Sequence, residues 1–444
     1  MRVLFFPSYL GGGYGHIGRC QSLAEELANR GWEASFALGG PHADRLQATG
    51  KVFRLQEPAV PRSKPTPAAY TVISGMNYQL LRDGLHSPAA IRRALREQLG
   101  VVKRFRPDVL VADSWPLASV LKGMTGLPLV QITRASIYPV APTLIWWQPV
   151  PAELVPPDPR PVFNPLLRAW GLPPIQRAED LLSGDRYLVP SLPALDPIPG
   201  PLPETYYIGP LVRAKPAVET LTEVPSERQQ KRIYVTTGGG AENVGGETFY
   251  RVLLEALAGL PVQAVVSTGN RLNPRSLPPA PPNVQLVAWA DGPQLARQSD
   301  LVVFSGGYGT SMDLVLAGTP GLVIPFHSEQ ESNGRRLEAA RAAQVLLPAQ
   351  SEAVVSWHTW GGKRFSTMHY PNFDLDVPRL REAIGCALED GRLKEGAMRL
   401  QQQAGQTRGA LQAADLVEEL VAKGVPSQSN WQRLPWRQKF LLRH

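Results

Sequence analysis

A single histidine follows a run of glycines at the start of the chain. The stretch Gly11-Gly12-Gly13-Tyr14-Gly15-His16-Ile17-Gly18-Arg19 comes directly after the apolar run Val3-Leu4-Phe5-Phe6. Histidine is the side chain that exchanges protons near neutral pH, and His16 is the one such group in this loop. Glycines let backbone close on a ligand, and a helix beginning behind them favours negative charge. Gly13, Gly15 and Gly18 also fit Gly-x-Gly-x-x-Gly. A dinucleotide site would place a carboxylate roughly 20 residues further on, where Ser35-Phe36-Ala37-Leu38-Gly39-Gly40 has none. The Gly-Lys-Ser/Thr ending of a triphosphate loop is missing too. A purely structural histidine is the competing reading.

A second centre lies at Asp300-Leu301-Val302-Val303-Phe304-Ser305-Gly306-Gly307-Tyr308-Gly309-Thr310-Ser311-Met312-Asp313. An apolar strand ends in Ser305-Gly306-Gly307 and passes into a helix, whose first N–H groups and the hydroxyls of Ser305 and Thr310 could hold an anion. Asp313 shares a helical face with Thr310 and could accept hydrogen bonds from vicinal sugar hydroxyls. Gly318-Thr319-Pro320 then stops the helix, and Pro325, Glu329, Gln330 and Asn333 follow. The competing reading is an ordinary capped β-turn-α connection. Asp374-Leu375-Asp376 fits the Asp-x-Asp of a metal-dependent transferase, but Val377-Pro378 after it makes a helix N-cap the better reading. No His/Cys cluster has metal-ligand spacing, and no bound metal or cofactor is expected.

These residues need strands and helices to hold them, and the apolar pattern supplies both twice. Strand-like runs at 2–7, 33–38, 51–55, 108–113, 127–133 and 186–190 alternate with helical patterns at 17–30, 89–104 and 116–124. After a proline-rich stretch between Ser191 and Arg232, the rhythm restarts with strands at 233–237, 262–267, 284–289, 300–304 and 321–325. Helical patterns follow at 247–258, 292–298, 309–318, 330–343, 378–390, 394–404 and 410–423. This predicts an α/β protein of two facing Rossmann-like domains, each a parallel doubly wound sheet, with a cleft between them. The expected division is 1–210 for an N-terminal domain, 211–231 for a linker and 232–425 for a C-terminal domain. Residues 426–444 form a basic aromatic tail, read as packing on the N-terminal domain.

At 444 residues two domains are the default. A composition of 43% hydrophobic and 19% charged residues is that of a soluble globular chain. Cys20 and Cys386 fall in separate predicted helices, which speaks against a disulfide framework and for a reducing compartment. The opening apolar run is too short for a secretory leader, and no run reaches the roughly 18 apolar residues of a membrane span; a cytoplasmic location is expected. The net charge of +8 comes from scattered basic residues without nucleic-acid motifs, so no nucleic-acid partner is expected. Much of the excess sits in the tail, between Trp431 and Arg443, which could also lie on an anionic bilayer at the inner face of the membrane.

Taken in order, the motifs resemble the family 1 UDP-glycosyltransferases, whose donor domain carries His-Gly-Gly-x-x-Ser-x-x-Glu, then Gly-x-Pro, then Pro-x-x-x-Asp-Gln-x-x-Asn. Here Ser305-Gly306-Gly307, Thr310, Asp313, Gly318-Thr319-Pro320, Pro325, Glu329-Gln330 and Asn333 stand in the same register. Trp289 matches the tryptophan that stacks on the donor base, a contact typically worth about 1–3 kcal/mol. Gly238-Gly239 resembles the family's Gly-Ser turn near the donor phosphates, and Gly15-His16 its N-terminal Gly-His. Three features depart from the pattern. The family's phosphate-binding histidine is Ser305, as it is in the related lipid-linked N-acetylglucosaminyltransferase of peptidoglycan synthesis. Asp-Gln has become Glu329-Gln330, and Trp-x-Pro-Gln is stretched to Trp289-Ala290-Asp291-Gly292-Pro293-Gln294.

The resemblance implies a GT-B fold and an inverting hexosyl transfer from a UDP- or dTDP-sugar co-substrate to a small, apolar or lipid-like acceptor. His16 would be the base and Asp113 its partner, with the leaving diphosphate held without a metal. Asp113 could instead merely cap the next helix. Acceptor contacts would come from Trp146 and Trp147, or from an insertion at 350–376 with Trp357, His358, Trp360, His369 and Tyr370, which could equally pack between domains. Two other functions stay open: a nucleotide-sugar hydrolase, whose Gly-His-x-x-Arg-Cys resembles Gly15–Cys20, and a non-catalytic carbohydrate-binding relative. Acceptor, sugar and oligomeric state are not legible.

Overall fold

The computed structural model describes the chain apart from residues 11–13, 41, 44–45, 47–49, 58–68, 73–74, 140–150, 213–229, 239–245, 271, 349–351 and 425–444. Trp146, Trp147, Gly239, most of the linker and the basic tail therefore lie outside the described residues.

The N-terminal half runs β1 (Arg2–Pro7), α1 (Gly15–Asn29), β2 (Glu33–Leu38), β3 (Val52–Arg54), β4 (Tyr70–Val72), α2 (Met76–Arg82), α3 (Pro88–Phe105), β5 (Val109–Asp113), α4 (Leu117–Thr125), β6 (Leu129–Ile132), α5 (Arg160–Ala169), β7 (Arg186–Val189) and β8 (Thr205–Tyr207). Seven strands form one parallel sheet in the order β3-β2-β1-β5-β6-β7-β8. The central strands β1 and β5 are buried on both faces, which is why they read as unbroken apolar runs. Their register, Pro7 beside Asp113, brings both carboxyl ends to one edge.

The second half runs β9 (Lys231–Thr236), α6 (Gly246–Leu257), β10 (Val262–Ser267), β11 (Val284–Val287), α7 (Gly292–Gln298), β12 (Leu301–Phe304), α8 (Tyr308–Ala317), β13 (Gly321–Val323), α9 (Ser328–Ala339), β14 (Ala343–Val345), β15 (Val354–Trp360), β16 (Lys363–Tyr370), α10 (Val377–Glu389), α11 (Gly391–Gly405) and α12 (Ala410–Gly424). Its six-stranded parallel sheet has the order β11-β10-β9-β12-β13-β14. The two-domain α/β architecture is as the sequence predicts. Asp376 caps α10, accepting from the Arg379 N–H at 2.9 Å.

Two elements tie the halves together. Helix α12, read from the sequence as part of the donor domain, instead buries Ala413, Ala414, Val417 and Val421 in the first domain's core. Arg30, just past α1, reaches Asp415 at 2.7 Å and Glu418 at 2.9 Å on it. The aromatic insertion forms the hairpin β15–β16, turned by Gly361 and Gly362, both at positive φ (56° and 76°). A two-residue loop with both φ positive matches the twist of the flanking strands. Strand β16 adds antiparallel to β4 of the first domain, pairing His369 with Thr71. Trp360 is buried in the first core and donates its indole N–H to the His86 carbonyl at 2.7 Å. Trp357, by contrast, is exposed, with the Arg364 guanidinium 4.6 Å above its ring.

Candidate active site

Asp113 ends β5, and the next residue, Ser114, turns the chain sharply at φ 56°. Its carboxylate is buried, with 1% of the side chain exposed. His16, in the first turn of α1, places Nδ1 2.7 Å from Asp113 Oδ1. The two residues the sequence paired on resemblance are therefore in hydrogen-bond contact. With the proton on Nδ1, His16 donates to Asp113 and leaves Nε2 to accept, the tautomer a general base requires.

Arg19, one turn further along α1, holds the same carboxylate from the other side, with Nε 2.7 Å from Oδ2 and Nη2 3.0 Å from Oδ1. Its Nη2 also lies 2.9 Å from His16 Nδ1. Nδ1 cannot donate to Asp113 and accept from Arg19 at once, so the bidentate fork leaves the Nδ1 proton on the Asp113 side. Burial alone would raise the Asp113 pKa; the charges of Arg19 and His16, with their hydrogen bonds, outweigh it and hold the carboxyl well below its ordinary range.

The Ser305–Gly307 turn has the local structure that its residues predict. Gly306 has φ 87°, and a Cβ there would sit 2.4 Å from the Gln330 carbonyl. Ser305 is buried, donating to the Thr237 carbonyl at 3.2 Å and accepting from Gln330 Nε2 at 3.3 Å. Gln330 Oε1 accepts the Phe326 N–H, and Asn333 donates to the Gly306 carbonyl at 2.9 Å. Gln330 and Asn333 thus brace the turn itself. Gly307 caps α8 without a side-chain hydrogen bond, which leaves the helix's first N–H groups to another acceptor. Gly309 and Thr310 lie in that first turn. Asp313 lies on α8 facing the start of α7, its Oδ2 3.8 Å from where a Gly292 Cβ would stand. Trp289 is half-exposed. Gly238 follows β9 at φ 76°.

Three residues that the sequence reading passed over connect these halves. Arg134, just beyond β6, is nine-tenths buried and meets Glu329 on α9 at 2.6 Å. The charge of Arg134, against the opposing effect of burial and with smaller help from His327 and His16, lowers the Glu329 pKa to about 2. The guanidiniums of Arg19 and Arg134 lie 5.2 Å and 4.8 Å from the ring centroid of Tyr308, the first residue of α8. Tyr308 in turn donates to the Pro190 carbonyl at 2.8 Å. The signals were modest: Arg19 shares a helix face with His16, Arg134 stands at a strand's carboxyl end, and Tyr308 lies inside the donor turn. Among the described residues, no group of three or more His, Cys, Asp or Glu could hold a metal ion.

No protein-family model matches the chain. An uncharacterized glycosyltransferase of Methanosarcina mazei is 25% identical over 433 residues, covering 96% of this chain and 100% of the relative. The 4'-demethylrebeccamycin synthase of Lentzea aerocolonigenes is 26% identical over 443 residues, covering 92% of this chain and 97% of that one. The crystal structure of the kitacinnamycin glycosyltransferase superposes with a TM-score of 0.67 at 20% identity, over 94% of this chain and 98% of that one. The chain is a GT-B glycosyltransferase. The spinosyn rhamnosyltransferase, solved with thymidine diphosphate, shares the fold at a TM-score of 0.61 and 20% identity, over 94% of this chain and 100% of that one. In this glycosyltransferase the His16–Asp113 pair and the α8 turn come from opposite domains, and Arg134–Glu329 joins them.

Proposed function

We propose that the enzyme transfers a hexose from a UDP- or dTDP-sugar to a hydroxyl of a small, apolar or lipid-like acceptor, with inversion at the anomeric carbon. The observation that carries this reading is the His16–Asp113 contact, which leaves Nε2 as the accepting nitrogen. His16 Nε2 takes the proton of the acceptor hydroxyl as its oxygen attacks the anomeric carbon. The bond from that carbon to the diphosphate oxygen breaks, its electron pair leaving with the diphosphate, and Asp113 steadies the imidazolium. The first N–H groups and dipole of α8 would meet the developing charge, with Trp289 under the base and Asp313 at the ribose. Glu329 would accept from the sugar hydroxyls. Thymidine diphosphate on the spinosyn enzyme supports a nucleoside-diphosphate donor. Serine at 305 calls for a cation from elsewhere, and Arg134, 4.8 Å from the ring of Tyr308 at the start of α8, would supply it. The described helices include none long and apolar enough to cross a membrane, and we read the enzyme as cytoplasmic.

The test incubates the protein with UDP- and dTDP-sugars and follows nucleotide release with and without a panel of apolar alcohols and phenols. Release that depends on the acceptor, with an inverted product anomer, supports transfer. Release independent of acceptor would point to hydrolysis, and a retained anomer would overturn the single-displacement mechanism.

A further inference from the structure

A cavity of about 170 Å3 opens in the first domain, and none of the residues placed at the base and the donor lines it. It lies between α3 and the segments following β1, β3 and β5. Its aromatic wall is Tyr9 and Trp115, stacked with centroids 5.3 Å apart and planes at 26°. The wall adjoins the catalytic segment, because Trp115 lies two residues beyond Asp113 and the Ser8 N–H donates to the Asp113 carbonyl at 2.9 Å.

The polar lining is unusual for a protein of net charge +8. Glu57, Asp83 and Glu97 line the cavity against a single guanidinium, that of Arg93. Asp83 is fully buried, with Arg82 Nε 3.0 Å from one oxygen and Gln79 Nε2 3.3 Å from the other. Glu97 accepts the Gln56 N–H at 2.9 Å through one oxygen. Two groups stand unmatched. Tyr9 lines the cavity with 4% of its surface exposed, and no hydrogen bond joins its hydroxyl to another described residue. His86 Nδ1 is buried and equally without one. Burial first, and then the charges of Glu97, Asp83 and Glu57, hold the Tyr9 phenol above its ordinary value.

The buried, unpartnered His86 nitrogen and the Tyr9 hydroxyl on the cavity wall both gain from meeting a polar group there. The surroundings select what that is. Clustered carboxylates repel an anion and give a neutral alcohol no charge complement. A protonated amine answers both features, donating to the carboxylates and the phenol oxygen while its charge meets the faces of Tyr9 and Trp115. Leu55, Leu85 and Ala94 leave room beside it for a compact apolar frame. We propose that this cavity is a binding site for a primary ammonium group carried on a small apolar body.

The site is read on the free protein, so its test is independent of the transfer reaction. The Trp115 indole N–H is followed by NMR while benzylamine, benzyl alcohol and benzoate are titrated at neutral pH. Benzylamine should shift it with an affinity at least about tenfold above benzyl alcohol, and benzoate should leave it unmoved. In the Glu57→Gln/Glu97→Gln double variant the preference for the amine should disappear, and Tyr9→Phe should weaken the amine severalfold. Equal response to all three probes, or a preference that survives the double variant, would overturn the assignment. With a UDP-sugar present, 4-(2-aminoethyl)phenol separates two sources of the amine: faster glycosylation than of 4-ethylphenol makes it the acceptor's own, and binding without a rate advantage makes it a separate ligand.

Discussion

Arg134 of the first domain and Glu329 of the second meet at 2.6 Å, an ion pair that joins the two halves of the site. The depressed carboxyl, titrating at about 2, sets the pH dependence. A carboxylate whose folded pKa lies below its unfolded value contributes stability above the unfolded value, near 4.5, and loses it as pH falls toward 2. The pair should therefore be intact throughout pH 5–9, with a Glu329 carboxyl 13C midpoint below 3 in the wild type and near 4–5 in Arg134→Met. Arg134→Met should raise the donor KM by about tenfold. An unchanged midpoint in the variant would show that Arg134 does not govern Glu329.

Arg19 shares Asp113 with His16, and the consequence is testable by separating charge from shape. Arg19→Lys keeps the charge and loses the bidentate fork. It should lower kcat about tenfold with little change in donor KM, because Asp113 keeps its ionisation but not its orientation. Arg19→Met leaves the buried carboxylate only His16 and the Ser114 hydroxyl as partners, and should cost about 3–5 kcal/mol of stability in chemical denaturation. Full activity in Arg19→Lys would reduce the arginine to a counter-charge.

His16→Ala should lower kcat by roughly 10²–10⁴-fold while leaving nucleoside-diphosphate affinity unchanged by calorimetry. Asp113 acts through His16, so the losses should not add. His16→Ala/Asp113→Asn should be no more than about twofold slower than His16→Ala alone. Additive losses in the cycle would mean that Asp113 contributes by a second route.

Both sheets were readable because their strands are buried on two faces and so are written as continuous apolar runs, Val3–Phe6 and Leu301–Phe304 among them. The donor turn was readable because its glycines are dictated by backbone geometry, as at Gly306. What escaped was long-range. Nothing local marks Arg134 as the partner of a glutamate 195 residues away. Nor does the apolar face of α12 reveal which of two cores it will enter. The hairpin was within reach: Trp360-Gly361-Gly362-Lys363 is a two-residue turn signal between β-rich runs. Its aromatic content fits ligand contact and packing between domains equally well.

Gly306→Ala tests the donor turn without removing a functional side chain. At φ 87°, with the Gln330 carbonyl 2.4 Å from the new Cβ, alanine must displace either the turn or α9. The backbone strain alone is of order 1–3 kcal/mol. Thymidine diphosphate affinity by calorimetry should fall at least tenfold, whereas the first domain's own response to benzylamine should persist. Unchanged nucleotide affinity would place the diphosphate elsewhere than over this turn.

The hairpin β15–β16 should act as a strap, because it belongs to the second half of the chain but is anchored in the first domain. Trp360 is 5% exposed and donates to the His86 carbonyl, and Tyr78 donates to the Ser366 carbonyl at 2.6 Å. Trp360→Ala removes a buried ring and leaves that carbonyl without its indole donor, a loss of about 3–5 kcal/mol by comparison with other buried aromatics. The loss should appear as a lower Tm and as faster hydrogen exchange in β4 and β16. The amides of β9–β14 should keep their protection, since their ladder does not touch the hairpin. Equal loosening of both sheets would mean that the strap supports the whole fold rather than the junction between domains.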